Sequence, residues 1–114
     1  MKEQHKALVF HVFQDKKEIA TEEFTQRSIL VGRGDSANLR VADGKASKIH
    51  CVIDISGEDE VFLLDLGSTN GTKVNGEKVH RQKITPEDEI SVGRSTIRFE
   101  QRSFSEAEEI SVAS

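Results

Sequence analysis

Ser68-Thr69-Asn70-Gly71-Thr72-Lys73-Val74-Asn75-Gly76 holds two Asn-Gly pairs five residues apart. Asn-Gly is a strong turn signal because both residues accept positive φ at little cost. The apolar run Val61-Phe62-Leu63-Leu64-Asp65-Leu66 leads into the first pair, which places that turn at the end of a strand. Two more polar islands lie upstream, Gly32-Arg33-Gly34 and Ser47-Lys48-Ile49-His50, also at strand-to-loop boundaries. Loops carrying Arg, Ser, Lys, Thr and Asn predict a polar, anion-seeking rim on a β scaffold.

Outward from these loops the chain reads as short strands divided by turns. Ala7-Leu8-Val9-Phe10-His11-Val12-Phe13 is β-branched and aromatic, as a first strand should be. Gln14-Asp15-Lys16-Lys17 is a polar hairpin tip; residues 18–24 are read as continuing in a strand with a return around 20–22. Residues 27–31 form a strand stopped by Gly32-Arg33-Gly34, and 38–41 a short one before the turn Ala42-Asp43-Gly44. In residues 49–55, Ile49, Cys51, Ile53 and Ile55 alternate with His50, Val52 and Asp54, which predicts a one-sided strand. Ser56-Gly57-Glu58-Asp59-Glu60 is a turn, from which residues 61–66 pair back. Residues 89–92 and 96–100 flank Gly93-Arg94-Ser95 as a terminal hairpin, and Pro86 opens a turn just ahead of it.

About ten short strands with closely spaced turns predict an all-β fold, an antiparallel β-sandwich over residues 7–100. Residues 1–6 form a polar lead. Residues 101–114 are acidic and Ser-rich, with no core pattern beyond Phe104, Ile110 and Val112, and are expected to be a flexible tail or linker.

At 114 residues the chain is one domain by size and long enough to bury a single core. No run of about 18 apolar residues occurs, so no membrane insertion is expected. Residues 1–6 lack the apolar stretch of a secretory signal, which leaves the cytoplasm as the expected location. Cys51 is the only cysteine and no metal-ligand cluster accompanies it, so neither an internal disulfide nor a metal or cofactor is expected. A small thiol in a strand is expected to be buried. The formal net charge of −4 argues against a general nucleic-acid binder. Its distribution says more: residues 33–50 carry four basic side chains against two acidic, whereas 54–66 carry five acidic and none basic.

Three motifs now stand in one order: Gly32-Arg33, then Ser47-x-x-His50 beginning fourteen residues after the Arg, then Ser-Thr-Asn-Gly-Thr-x-Val-Asn-Gly over 68–76. Each alone is weak, but together, each at a strand edge, they resemble a forkhead-associated (FHA) domain. The resemblance covers about residues 7–100 and closes on Ile90-x-x-Gly93 and the terminal strand. It implies a two-sheet sandwich of about eleven short strands with the binding loops at one end. It also implies binding to a phosphothreonine-containing protein or peptide in protein-kinase-dependent signalling.

A phosphothreonine carries close to two negative charges and three acceptor oxygens. Arg33 supplies a planar cation able to bind phosphate oxygens bidentately, which Lys cannot copy. By the resemblance, the Ser47 hydroxyl donates to the phosphate, the Lys48 ammonium points to the same oxygens, and Thr69 adds a further contact. Asn70 matches an asparagine whose amide bonds the peptide main chain, a task suited to a group that donates and accepts at once. The resemblance makes His50 structural, bracing the binding loops rather than touching ligand. Gly32 lets the backbone bend beside Arg33, Gly71 and Gly76 suit positive φ, Asn75 is a turn residue and Thr72 a loop brace. Residues C-terminal to the phosphothreonine set target choice in this family, and the loop 34–38 and the segment 73–81 are the stretches placed to read them.

Two rival readings have features in the sequence. Ser47, His50 and Asp65 are the types of a nucleophilic triad, but no Gly-x-Ser-x-Gly occurs. Gly32-Arg33-Gly34 also lacks the downstream Gly and Lys of a nucleotide loop, so no enzyme and no catalytic residue is expected. The other rival is a phosphate-independent scaffold that binds through a sheet face, which an exposed apolar patch would support. A monomer is expected, with self-association following only if phosphorylated Thr21 or Thr25 docks into a second copy.

Overall fold

The computed structural model describes residues 4–56 and 60–105, and every regular element among them is a strand. One sheet holds six strands: β1 (Gln4–Gln14), β2 (Lys17–Phe24), β7 (Thr72–Val74), β8 (Glu77–Val79), β10 (Ile90–Val92) and β11 (Ser95–Ser105). The other holds five: β3 (Ser28–Gly32), β4 (Leu39–Arg40), β5 (Cys51–Ile55), β6 (Val61–Asp65) and β9 (Arg81–Ile84). The orders across the sheets are β2-β1-β11-β10-β7-β8 and β4-β3-β5-β6-β9. All ladders are antiparallel except the two-residue pairing of β3 with β4, which is parallel.

Period-2 alternation turns one face of each sheet inward. Leu8, Phe10, Val12, Ile90, Val92, Ile97 and Phe99 from the first sheet meet Ile29, Val31, Cys51, Ile53, Val61 and Leu63 from the second, all buried. Phe10 stands opposite Phe99 and Val12 opposite Ile97 across the β1–β11 ladder, the pairing unit that pins its register. The Phe10 ring lies 6.0 Å from both Phe24 and Phe99, tilted against each, within the range of favourable aromatic pairs. Burial pushes the Cys51 thiol up to about 12, as expected of an inert core residue.

Several expectations change here. Residues 18–24 do not turn back; they run unbroken as β2 from a two-residue hairpin at Asp15 and Lys16, both at positive φ (52° and 65°). β1 and β11 pair from Gln4↔Ser105 inward, so their ladder reaches beyond residues 7–100 on both sides. The expected tail at 106–114, with Ile110 and Val112, and the turn residues 57–59 lie outside the described residues. Ile49 does not continue the inward row of Cys51, Ile53 and Ile55: it is 49% exposed, while His50 is fully buried. The reason is that β5 begins only at Cys51, so strand parity does not reach back to residue 49.

The outer faces differ in character. On the six-stranded sheet His11 bonds Glu18 through Nδ1 (2.8 Å) and Glu100 through Nε2 (2.7 Å), linking β2, β1 and β11. The hydrogen bonds to Glu18 and then Glu100 raise the pKa of His11 above its usual value. On the five-stranded sheet Leu30, Val52 and Leu64 form one cross-strand row, and Arg81 stacks over the Phe62 ring at 4.4 Å. Among the described residues no helix is long and apolar enough to cross a membrane.

A raised folded-state pKa gives stability that is full below the unfolded value and is lost as pH rises through the folded one. Urea titrations of the wild type and His11→Gln should therefore differ more at about pH 5.5 than at about pH 9. Parallel stability curves across that window would show that the imidazole is not charged between the two carboxylates.

Candidate functional site

Four connections converge at one end of the sandwich: residues 33–38, 41–50, 66–71 and the turn 93–94. Strand ladders do not reach these segments, so their backbone groups need partners of another kind. They find them in one another. The Arg33 and Gly34 amides donate to the carbonyls of Ser47 (2.9 Å) and Lys48 (3.1 Å). The Thr69 amide donates to Ser47 Oγ (2.9 Å), and Asn70 Nδ2 to the Lys45 carbonyl (2.8 Å).

His50 lies at the centre of this network. Its Nδ1 accepts the Ser47 amide at 3.0 Å, which obliges Nε2 to carry the ring proton and donate to the Gly71 carbonyl at 3.0 Å. One neutral ring thus ties the loop before β5 to the loop before β7, across the two sheets. Ser47, His50 and Asp65 form no triad, since both ring nitrogens are spent on backbone groups. Asp65 instead gathers the next loop. Its Oδ2 accepts the amides of Gly67 and Ser68, and its Oδ1 accepts the hydroxyls of Ser68 and Thr72. Burial opposes the Asp65 charge, but these bonds together hold its carboxyl below the usual range. Thr72 is the brace expected of it.

The expected ligand-contacting residues come together at this end. Arg33 is half-buried, its Nε donating to the Ala46 carbonyl at 3.0 Å, and its terminal nitrogens have no partner among the described residues. Ser47 is half-buried; its oxygen accepts from Thr69 while its own hydrogen is not committed. Lys48, Thr69 and Asn70 are exposed on the surrounding rim. With Nδ2 using one hydrogen on Lys45, the Asn70 amide retains a second donor and its oxygen. A Cβ at Gly32 would lie 2.1 Å from the Lys48 carbonyl oxygen, so only glycine lets the two loops approach this closely. Gly71 has φ +83°, at the crossover between sheets. Asn75 (φ 53°) and Gly76 (φ +87°) make the hairpin between β7 and β8, away from the rim, with Asn75 bonded to Asp88 and the Glu89 amide.

Asp43 carries more than the sequence signalled. It appeared there as a turn residue, yet it is buried and accepts from the amides of Lys45 and Arg94 and the Ser95 hydroxyl. Burial opposes its charge and these donors prevail, lowering its pKa. Ser95 and Asp43 are 52 residues apart, so no local spacing announces the pair.

Comparison with known proteins follows the same residues. The family model described as FHA domain matches residues 29–93. FhaA of Mycobacterium tuberculosis is 37% identical over 78 residues, 68% of this chain but only 14% of that protein's length. A structure solved in a structural and functional analysis of phosphothreonine-dependent FHA domain interactions superposes with TM-score 0.72 at 30% identity, covering 82% of this chain and 94% of that one. The FHA domain of FhaA, solved in complex with an intracellular domain of another protein, gives TM-score 0.72 at 30% identity over 82% and 99% of the two chains.

His50→Ala leaves the Ser47 amide and the Gly71 carbonyl unpaired around a new cavity. Denaturant titration should show a loss of about 2–4 kcal/mol, where a change under 1 kcal/mol would mean the loops stand without the ring. A lowered carboxylate pKa stabilises above its unfolded value and loses that contribution as pH falls. Asp65→Asn should accordingly flatten the acid limb of the stability curve below about pH 4, and an unchanged limb would remove Asp65 from that role.

Proposed function

The chain belongs to the FHA domain family, and we propose that it is a phosphothreonine-peptide-binding interaction module in kinase-dependent signalling. The observation that carries this reading is the anchored Arg33. Its Nε is fixed on the carbonyl of Ala46, the neighbour of Ser47 in the chain, and its two terminal nitrogens have no partner among the described residues. A fork already oriented loses little rotamer entropy on meeting a phosphate, and each charge-assisted bond is correspondingly stronger.

In this reading Arg33 takes two phosphate oxygens, Ser47 donates a third bond, and Lys48 and Thr69 complete the cradle. Asn70 grips the peptide main chain with the amide groups it has left. His50, Gly32 and Gly71 hold the loops and touch no ligand. The ligand is a phosphothreonine-containing protein, and no nucleic acid or cofactor enters. Members of this family are interaction modules rather than enzymes, and the engagement of both His50 nitrogens by backbone supports a non-catalytic role here. A cytoplasmic location accords with kinase-dependent partners.

One observation favours the alternative, a phosphate-independent scaffold: the row Leu30, Val52 and Leu64 on the outer face of the five-stranded sheet, with Leu64 39% exposed. Arg81 covers the neighbouring Phe62, which narrows that patch. The two readings separate in one experiment. Calorimetric titration with phosphothreonine peptides, beside phosphoserine and unphosphorylated versions, should give binding confined to phosphothreonine. Arg33→Ala removes at least two charge-assisted bonds, each about 1.5–3 kcal/mol, and should weaken that binding by about a hundredfold or more with the fold intact. Partner capture that is indifferent to phosphate and survives Arg33→Ala would overturn the reading in favour of the sheet face.

A further inference from the structure

Beside the candidate phosphate site lies an open groove of about 400 Å³ whose lining includes Lys45, Asn70, Lys73, Ser91 and Arg94. We propose that this groove receives a second anionic group of the same bound phosphopeptide, held among Lys45, Lys73 and Arg94. This rests on the phosphothreonine reading and deepens it, because it states which peptides the module prefers.

Three observations carry it. The first is charge. Four basic side chains elsewhere on the surface are ion-paired: Arg40 with Asp35, Lys83 with Glu60, Arg98 with Glu89 and Arg102 with Glu23; what sets the groove apart is that three cations share it. Lys45, Lys73 and Arg94 line one groove and form no ion pair with a described residue, although the acidic chain offers 20 carboxylates. Cations brought together without partners repel one another, so an anion placed among them is favoured.

The second is construction. The buried Asp43 carboxylate accepts the Lys45 amide at 2.9 Å and the Arg94 amide at 2.7 Å. It thereby fixes the backbone of two cations that lie on different loops. The contact is close: a Cβ at Gly93 would lie 2.8 Å from Asp43 Oδ1 and 2.9 Å from the Ala46 nitrogen. The three hydrogen bonds that Asp43 accepts turn its carboxylate into the loops, where it positions both backbones while its charge also acts on Arg94, leaving Lys45 and Lys73 without that compensation.

The third is continuity. Asn70 lines the groove and also donates to the Lys45 carbonyl, so the residue expected to grip the peptide main chain forms the wall shared with the phosphate site. An extended peptide leaving that grip enters the groove. Of the two stretches expected to read flanking residues, the segment 73–81 contributes Lys73 to this lining. The loop 34–38 is engaged elsewhere, with Asn38 bonded to Leu30 and Asp35 paired with Arg40.

The second anion can be a carboxylate or a second phosphoryl group, and the test separates them. Fluorescence anisotropy on the full chain would use phosphothreonine peptides with Ala flanks. Single Glu or phosphoserine replacements would be made within about four residues on either side, roughly 13 Å of extended chain. At one position, or two adjacent ones, Glu should bind about fivefold to tenfold more tightly than Ala. A gain with phosphoserine alone would assign the groove to doubly phosphorylated peptides, and a gain with both to acidic residues in general. In the Lys45→Ala/Lys73→Ala/Arg94→Ala variant the Glu-to-Ala affinity ratio should fall to about one. Asp43→Asn should lower the same ratio with every cation retained, a change that general loosening of the fold would not confine to one peptide position. A wild-type affinity that neither Glu nor phosphoserine raises at any position, with the Ala-flanked phosphothreonine peptide still bound, overturns this proposal alone. So does a ratio that survives the triple variant. Failure of every phosphothreonine peptide to bind would overturn the underlying reading and this inference with it.

Discussion

The binding end of this domain depends on one buried imidazole. His50 is fully buried, and it satisfies an amide from the loop before β5 and a carbonyl from the loop before β7. The second of these loops leaves β6, the ladder partner of β5, and crosses to the other sheet, so the ring extends the tie between them from the end of that ladder to the crossover itself. A neutral ring with its proton on Nε2 is the only form that accepts from Ser47 and donates to Gly71 at the same time. Around this tie the remaining loops close by short backbone bonds, from Arg33 to Ser47 and from Gly34 to Lys48. The result is a rigid frame for side chains whose polar ends are left uncommitted, and rigidity of that kind lowers the entropic cost of capturing a ligand.

Charge is sorted by the same frame. The chain as a whole is acidic, but two carboxylates at the loops, Asp65 and Asp43, are turned into them. Asp65 gathers the amides of Gly67 and Ser68 with two hydroxyls, and Asp43 gathers those of Lys45 and Arg94. Each works as a scaffold for backbone donors, which is why both stay ionised despite burial. The cations of the rim form no ion pair within the described residues, and Lys45, Lys48, Lys73 and Arg94 are exposed. An anion approaching this end therefore meets Arg33, Lys45, Lys48, Lys73 and Arg94, with Asp43 and Asp65 hydrogen-bonded into the loops and Asp35 paired with Arg40. Such a local field can steer an anionic partner even when net charge is negative.

Much of the fold was legible because it rests on local rules. Strands such as 7–13 and 90–92 declared themselves by β-branched and aromatic alternation, and the Asn75-Gly76 hairpin by a pair that tolerates positive φ. The same dipeptide at Asn70-Gly71 serves a crossover between sheets, a difference that spacing alone does not reveal. Ile49 was misplaced because alternation was extended past the start of the strand, where tertiary contacts had already turned the chain. The β1–β11 ladder reaches beyond residues 7–100, from Gln4↔Ser105 inward, and such backbone pairing leaves no mark in the apolar pattern of the sequence.

What the sequence by itself determined was the class of fold, the position of the turns and the family to which its three motifs belong. These follow from backbone preferences and from the period of apolar residues, and both are properties of neighbours in the chain. The tertiary structure alone decided how the loops are joined, which tautomer His50 adopts, and that Asp43 holds Lys45 and Arg94 together. Those outcomes join residues up to 52 positions apart, as in Asp43 and Ser95, and a hydrogen bond depends on angles and distances that only the closed sandwich sets.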